Sequence, residues 1–86
     1  MKILFLPHAL ERLKTRRISQ ELVQTVLRNP DGSFENEIGF VAHKILIDRA
    51  TSKQYLLRVF YKMRNEEIEV ISAYKTSRIS KYLRGK

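Results

Sequence analysis

The stretch Gln54-Tyr55-Leu56-Leu57-Arg58-Val59-Phe60-Tyr61-Lys62 is dense in aromatic, branched and long apolar side chains and holds neither glycine nor proline. That composition predicts a long strand. Period-two alternation sends Tyr55, Leu57, Val59 and Tyr61 to one face and Leu56, Arg58, Phe60 and Lys62 to the other. Turn-forming segments bracket it, Arg49-Ala50-Thr51-Ser52-Lys53 before and Met63-Arg64-Asn65-Glu66 after. Beyond those turns, Phe40 to Asp48 and Glu67 to Lys75 read as two further strands. Short loops between neighbouring strands predict an antiparallel meander. Ser33 to Ile38 adds a short edge strand, with Glu37 to Gly39 as its turn.

Upstream the period changes. Lys2 to Leu6 is a short apolar strand, and Pro7 suits the first turn of a helix, where its missing N–H costs nothing. Ala9, Leu10 and Leu13 make a narrow helical stripe between Pro7 and Arg16. A second helix opens at the N-cap Ser19, with Glu21 in its first turn. It carries Leu22, Val23, Val26 and Leu27 and stops at Asn29-Pro30-Asp31-Gly32. After the last strand, Ile79, Tyr82 and Leu83 at i, i+3, i+4 predict a short amphipathic helix within 76–86. The expected fold is one α+β domain over residues 1–86. Two N-terminal helices pack on a three- to four-stranded antiparallel sheet, with a short N-terminal strand and a short C-terminal helix.

Composition narrows the function. There are 86 residues, no cysteine and two histidines. Disulfides, zinc-thiolate sites and cysteine nucleophiles are excluded. No apolar run approaches the ~20 residues that cross a bilayer. The apolar stretch Ile3 to Leu6 is too short for a signal sequence, so a cytoplasmic location is expected. The formal charge is +8, and it is unevenly spread. Residues 1–29 carry +4, residues 30–69 carry −1 and residues 70–86 carry +5. If the fold joins the two ends, they form one basic surface for a polyanion.

His8, Arg12 and Arg16 recur at i, i+4, i+8, so all three fall within an ~80° arc of the first helix. Stacked guanidiniums are most comfortable with an anion between them. A neutral His8 beside them is a candidate general base. Arg58 interrupts an otherwise apolar strand, as either a paired structural residue or a phosphate clamp. His43, with Val41, Ile45 and Ile47 on its face, reads as a packed or edge histidine. Ile68, Val70, Ser72 and Tyr74 are expected on one face of the last strand. Tyr74, Thr76, Ser77, Arg78, Lys81 and Tyr82 gather hydroxyls, cations and aromatics at the strand-to-helix turn, a mixture suited to a nucleic-acid backbone and a stacked base.

The stretch His8-Ala9-Leu10-Glu11-Arg12-Leu13-Lys14-Thr15-Arg16-Arg17-Ile18-Ser19 resembles the opening signature of a family of small bacterial and archaeal domains of uncharacterised function. That signature runs His-Ala, Arg-Met, Arg-Gly-Ile-Ser. The closing stretch Glu69 to Tyr82 also resembles that family, and it is similar to the terminal strand and helix of BrnT-type toxins. Here Arg17 stands at the usual glycine and Leu13 at the usual methionine. The resemblance implies a RelE-like or BrnT-like fold, shared with barnase and certain colicins. It also implies the toxin of a type II toxin–antitoxin pair, a metal-independent endoribonuclease with an acidic cognate antitoxin.

On that reading RNA, including mRNA on the ribosome, is the substrate, and its 2′-hydroxyl is the nucleophile. His8, Tyr74 and Lys81 are the expected catalytic residues. Arg12, Arg16, Arg58, Ser77, Arg78 and Tyr82 are expected to bind RNA and its phosphates. No metal, small-molecule cofactor or membrane is expected. The competing reading is a non-catalytic basic module that binds nucleic acid or ribosomes, or a subunit of a protein complex.

Overall fold

A computed structural model describes residues 2–83. The elements run β1 (Lys2–Phe5), α1 (Pro7–Thr15), α2 (Gln20–Arg28), β2 (Gly32–Glu35), β3 (Phe40–Ile47), β4 (Gln54–Arg64), β5 (Glu67–Thr76) and α3 (Ile79–Leu83). The class is α+β, and the described strands form one five-stranded sheet in the order β1-β5-β4-β3-β2. The expectation of a three- to four-stranded antiparallel sheet is corrected here. β2 to β5 are an antiparallel meander, but β1 lies parallel to β5, from Lys2 opposite Glu67 to Phe5 opposite Val70. The two helices between β1 and β2 supply the chain length that carries a parallel partner to the far edge. The edge strand β2 also begins earlier and is shorter than the sequence suggests, because Asn36 turns the chain, its Oδ1 accepting from the N–H groups of Ile38 and Gly39.

α1 and α2 cover one face of the sheet. Ala9 and Leu13 from α1, Ile18, and Val23 and Val26 from α2 pack on Ala42, Leu57, Val59, Val70 and Ala73, all buried. The sharp turn between the helices is a Schellman motif. Ile18 N–H donates to the Leu13 carbonyl at 2.9 Å, and Arg17 N–H donates to the Lys14 carbonyl at 3.2 Å. That motif requires a left-handed residue just past the helix end, and Arg17 fills it with φ 58°. A side chain there costs about 1 kcal/mol relative to glycine's freedom. The cost is accepted because Leu13 and Ile18 both reach the core. α2 is capped by Ser19, whose Oγ accepts from Leu22 N–H at 3.1 Å.

A bulge in β5 corrects a second expectation. Phe60 faces Ser72, but Tyr61 faces Val70, so Ile71 is an extra residue between them. Ile68, Val70, Ser72 and Tyr74 therefore do not share a face. Val70 enters the helix-side core beside Val59, while Ser72 and Tyr74 turn to the opposite face beside Phe60 and Arg58. A bulge switches the alternation by one residue and re-aims the side chains beyond it.

Candidate functional site

The face of the sheet away from α1 and α2 carries the polar chemistry. The registers Gly32–His43, His43–Arg58 and Arg58–Tyr74 run without a break, so four neighbouring strands contribute one transverse row. Arg58 is its centre. Its Nη1 donates to the Tyr74 hydroxyl at 2.5 Å. Its guanidinium carbon lies 4.4 Å from the Tyr82 ring centroid, 5.3 Å from Phe60, 5.6 Å from Tyr74 and 6.0 Å from Phe34. Phe60 and Tyr74 stack at 5.7 Å, and Tyr82 meets Tyr74 edge-on at 6.4 Å. Arg58 is thus both a paired structural residue and a cation on the polar face. Among the described residues the Arg58 side chain makes this one hydrogen bond, and its other donors are available to an anion.

His43 occupies the next place in the row. Gly32 makes room for it, since a Cβ there would stand 2.8 Å from the imidazole Nε2 and 3.0 Å from Cε1. Partial burial holds the His43 pKa below the ordinary histidine value, and the Arg58 charge lowers it further, while Asp31 opposes the shift. Asp31 is itself held below the usual carboxylate value by the Ile45 N–H, which donates to Oδ2 at 2.8 Å, and by Lys44 at 3.5 Å. Burial pushes the Tyr74 phenol up, the neighbouring Tyr82 hydroxyl adds to this, and Arg58 partly offsets it. At neutral pH the row therefore presents a neutral imidazole, a guanidinium and an un-ionised phenol. A depression of about 540 Å³ opens over Gly32, Phe34, His43 and Tyr82.

Of the stripe on α1, the structure brings only Arg16 to this neighbourhood. Arg16 Nη1 donates to the Ala73 carbonyl at 2.8 Å and to Ser72 Oγ at 3.2 Å. These bonds lie along the half of β5 that β1 does not reach, because β1 ends opposite Val70. Arg16 and Tyr74 line the same cleft. Arg12 is exposed beside Glu11 and Thr15. His8 is exposed at the other end of α1, about 12 Å along the axis from Arg16. It borders a shallow depression with Pro7, Leu10, Glu11 and Lys14.

The closing segment reaches the row through α3. Tyr82 covers Arg58, and Lys81 Nζ stands 5.5 Å from the Tyr82 ring. Ser77, Arg78 and Lys81 are exposed beside it, and the Arg78 N–H donates to Thr76 Oγ1 at 3.1 Å. The basic residues Arg84 and Lys86 lie outside the described residues. Among the described residues no group of three or more His, Cys, Asp or Glu could hold a metal ion. None of the described helices is long and apolar enough to cross a membrane.

His43 is the member of the row that sequence reasoning set aside. The signal for it was the β3–β4 loop. Ile47 opposite Gln54 fixes His43 opposite Arg58, yet a one-residue difference in the assumed loop would send the two to opposite faces.

Residues 5–81 match the family model described as Domain of unknown function (DUF4258). No curated protein and no solved structure matches the chain.

Proposed function

The chain belongs to the DUF4258 family, whose description names no activity, and from that premise we propose a metal-independent endoribonuclease, the toxin of a toxin–antitoxin pair, acting on the sheet face opposite α1 and α2. The observation that carries this reading is the row His43–Arg58–Tyr74, flanked by Phe60 and Tyr82, in a chain of net charge +8. Such a face suits single-stranded RNA, whose phosphates seek guanidinium and whose splayed bases stack on aromatic rings.

The row has the order the chemistry needs. β3 and β5 flank β4 at one strand spacing each, so His43 and Tyr74 stand about 9.5 Å apart across the sheet. A phosphate on Arg58 then has a neutral base on one side and a phenol on the other. His43 takes the proton of the 2′-hydroxyl, and the 2′-oxygen attacks phosphorus. The P–O5′ bond breaks, a 2′,3′-cyclic phosphate forms, and Tyr74 protonates the departing 5′-oxygen. Arg58 stabilises the added negative charge of the transition state. In this scheme Lys81, whose Nζ stands 5.5 Å from the Tyr82 ring, assists Tyr74, and Ser77, Arg78 and Tyr82 hold the flanking chain. Arg12 and Arg16 extend the basic track along α1. In this scheme His8, at the distant end of α1, contributes to the track and not to proton transfer.

A toxin of this charge requires an acidic antitoxin in its own cell. An acidic segment laid over the Arg58 face would block it, and salt would slow its association. The test is direct. Purified protein freed of any partner is incubated, in chelator, with mixed RNA and with matched 2′-deoxy analogues. Cleavage of the RNA alone, leaving cyclic phosphate ends, is expected. Expression alone should arrest growth, and a small acidic protein encoded beside it should relieve the arrest. Binding of RNA without cleavage would overturn the ribonuclease and leave the binding module.

A further inference from the structure

A second cleft on this side of the molecule takes no part in the proton transfers of the row. It has a volume of about 310 Å³ and lies where the β2–β3 turn, the β5 bulge and the end of α1 meet. Ile38, Phe60, Ile71 and Tyr74 supply its apolar lining, with Arg16, Asn36 and Ser72 as polar members, the Asn36 Oδ1 being taken up by the turn's own N–H groups. Ile38 is 71% exposed at the turn, which leaves the entrance open. The volume sits at the lower end of the roughly 300–1,000 Å³ of small-ligand sites, room for one planar ring system. Tyr74 links the two sites, since it borders the cleft and also accepts the Arg58 hydrogen bond.

Arg16 gives the cleft its chemical character. Both protons of Nη1 are engaged, one by the Ala73 carbonyl and one by Ser72 Oγ. The guanidinium is thereby fixed to the edge of β5, and among the described residues its Nε and Nη2 donors are left over. Those two form a parallel pair that matches two adjacent acceptors. Among the bases, guanine offers such a pair in O6 and N7. Adenine places a donor beside N7 and mismatches one of them. Cytosine pairs N3 with O2 on its Watson–Crick edge, but O2 lies beside the glycosidic bond, so a fork there comes against the ribose, whereas guanine's O6 and N7 face away from the sugar.

We propose that this cleft takes one nucleobase of the RNA next to the cleaved phosphate, and that Arg16 makes it prefer guanine. The inference rests on the ribonuclease reading for its substrate but on its own geometry for its selectivity. Ser72 and the Ile71 bulge are positioning elements, because they hold the guanidinium still. Phe60 supplies the stacking surface.

The four nucleoside 3′-monophosphates, titrated separately into the protein and followed by calorimetry, provide the test. The guanine nucleotide is expected to bind about 5- to 150-fold more tightly than the others, the worth of one good bidentate pair. Arg16→Lys keeps the charge and one strand-edge bond but loses the fork. It should keep its melting temperature within a few degrees and lose the preference. Phe60→Leu should weaken all four nucleotides together.

Equal binding of the four by the unaltered protein, or no binding of any, overturns the proposal. So does an equal loss for all four in Arg16→Lys with a shallower salt dependence, which would make Arg16 a phosphate contact. Cleavage of mixed RNA separates the two readings. Cutting without regard to base sinks the pocket and keeps the ribonuclease. Guanine-selective binding with no cutting upholds the pocket and sinks the ribonuclease.

Discussion

Replacing Arg58 with methionine keeps an unbranched side chain of similar reach and removes the charge. Among the described residues the guanidinium makes one hydrogen bond, to the Tyr74 hydroxyl, and it lies 4.4 Å from the Tyr82 ring. A charged hydrogen bond contributes about 1.5 kcal/mol or more. One half-buried charge cannot draw full cation–π energy from four rings, so the nearest ring sets the scale at about 1 kcal/mol. Methionine returns about 0.5 kcal/mol through sulfur–aromatic contact. The net loss is about 2 kcal/mol. At ~4–8 °C per kcal/mol for a domain of this size, Tm should fall by about 8–16 °C. The loss should be local. α3 meets the row through Tyr82, so its amides should lose protection from hydrogen exchange before those of β4 do. The same variant should bind RNA with a salt slope shallower by about one unit, the signature of one lost phosphate contact. Arg58→Lys should recover the slope but not the stability, since it lacks the planar fork. An Arg58→Met protein with the original Tm and the original salt slope would refute both roles assigned to this residue.

The same structure sets five further outcomes. His43→Ala should cut RNA cleavage by roughly 10²–10⁴-fold with RNA affinity unchanged, while His8→Ala should stay near the parent rate; the reverse result would return the base to α1. The rate should hold through neutral pH and fall only below the ordinary histidine value, because the neutral form of His43 is favoured in the folded state. The linked stability is whole above about pH 6.5 and is lost as pH falls through the lowered folded value, since the unfolded chain takes up that proton first; urea melts across that window measure it. Gly32→Ala should displace the imidazole, 2.8 Å from the new Cβ, and lower the rate with little change in Tm, because a side chain and not backbone must give way. Arg17→Gly should raise stability by about 0.5–1 kcal/mol in thermal melts by relieving the φ 58° conformation, and unchanged or lower stability would mean that glycine's greater entropy in the unfolded chain wins.

Most of the architecture was legible because period and punctuation agree. The order of all eight elements, the Ser19 cap and the stop at Asn29-Pro30-Asp31-Gly32 come from local rules, and each corresponds to an element boundary in the structure. The parallel placement of β1 was not legible, since four residues of apolar strand carry no mark of which edge they join. The site was legible in its residues and not in its grouping. Arg58, Tyr74 and Tyr82 stood out by type, and the structure joins them. His8, Arg12 and Arg16 stood out by spacing, yet a shared helix face says nothing about what that face borders. Only Arg16, at the end nearest β5, reaches the sheet.

The bulge at Ile71 reconciles the two demands made on β5. Its first half must bury Ile68 and Val70 under the helices, and its second half must bury Ala73 there while sending Ser72 and Tyr74 outward. A regular strand puts Val70, Ser72 and Tyr74 on one face, so either the core or the row would lose its members. One extra residue lets both stand. It also leaves the Ala73 carbonyl at an edge that β1 has ceased to cover, and Arg16 fills that gap. The same irregularity therefore aims Tyr74 at Arg58 and fixes Arg16 at the neighbouring cleft. A feature with no signature in local propensity, one residue out of step in an apolar run, couples the helix-borne cation to the sheet-borne row.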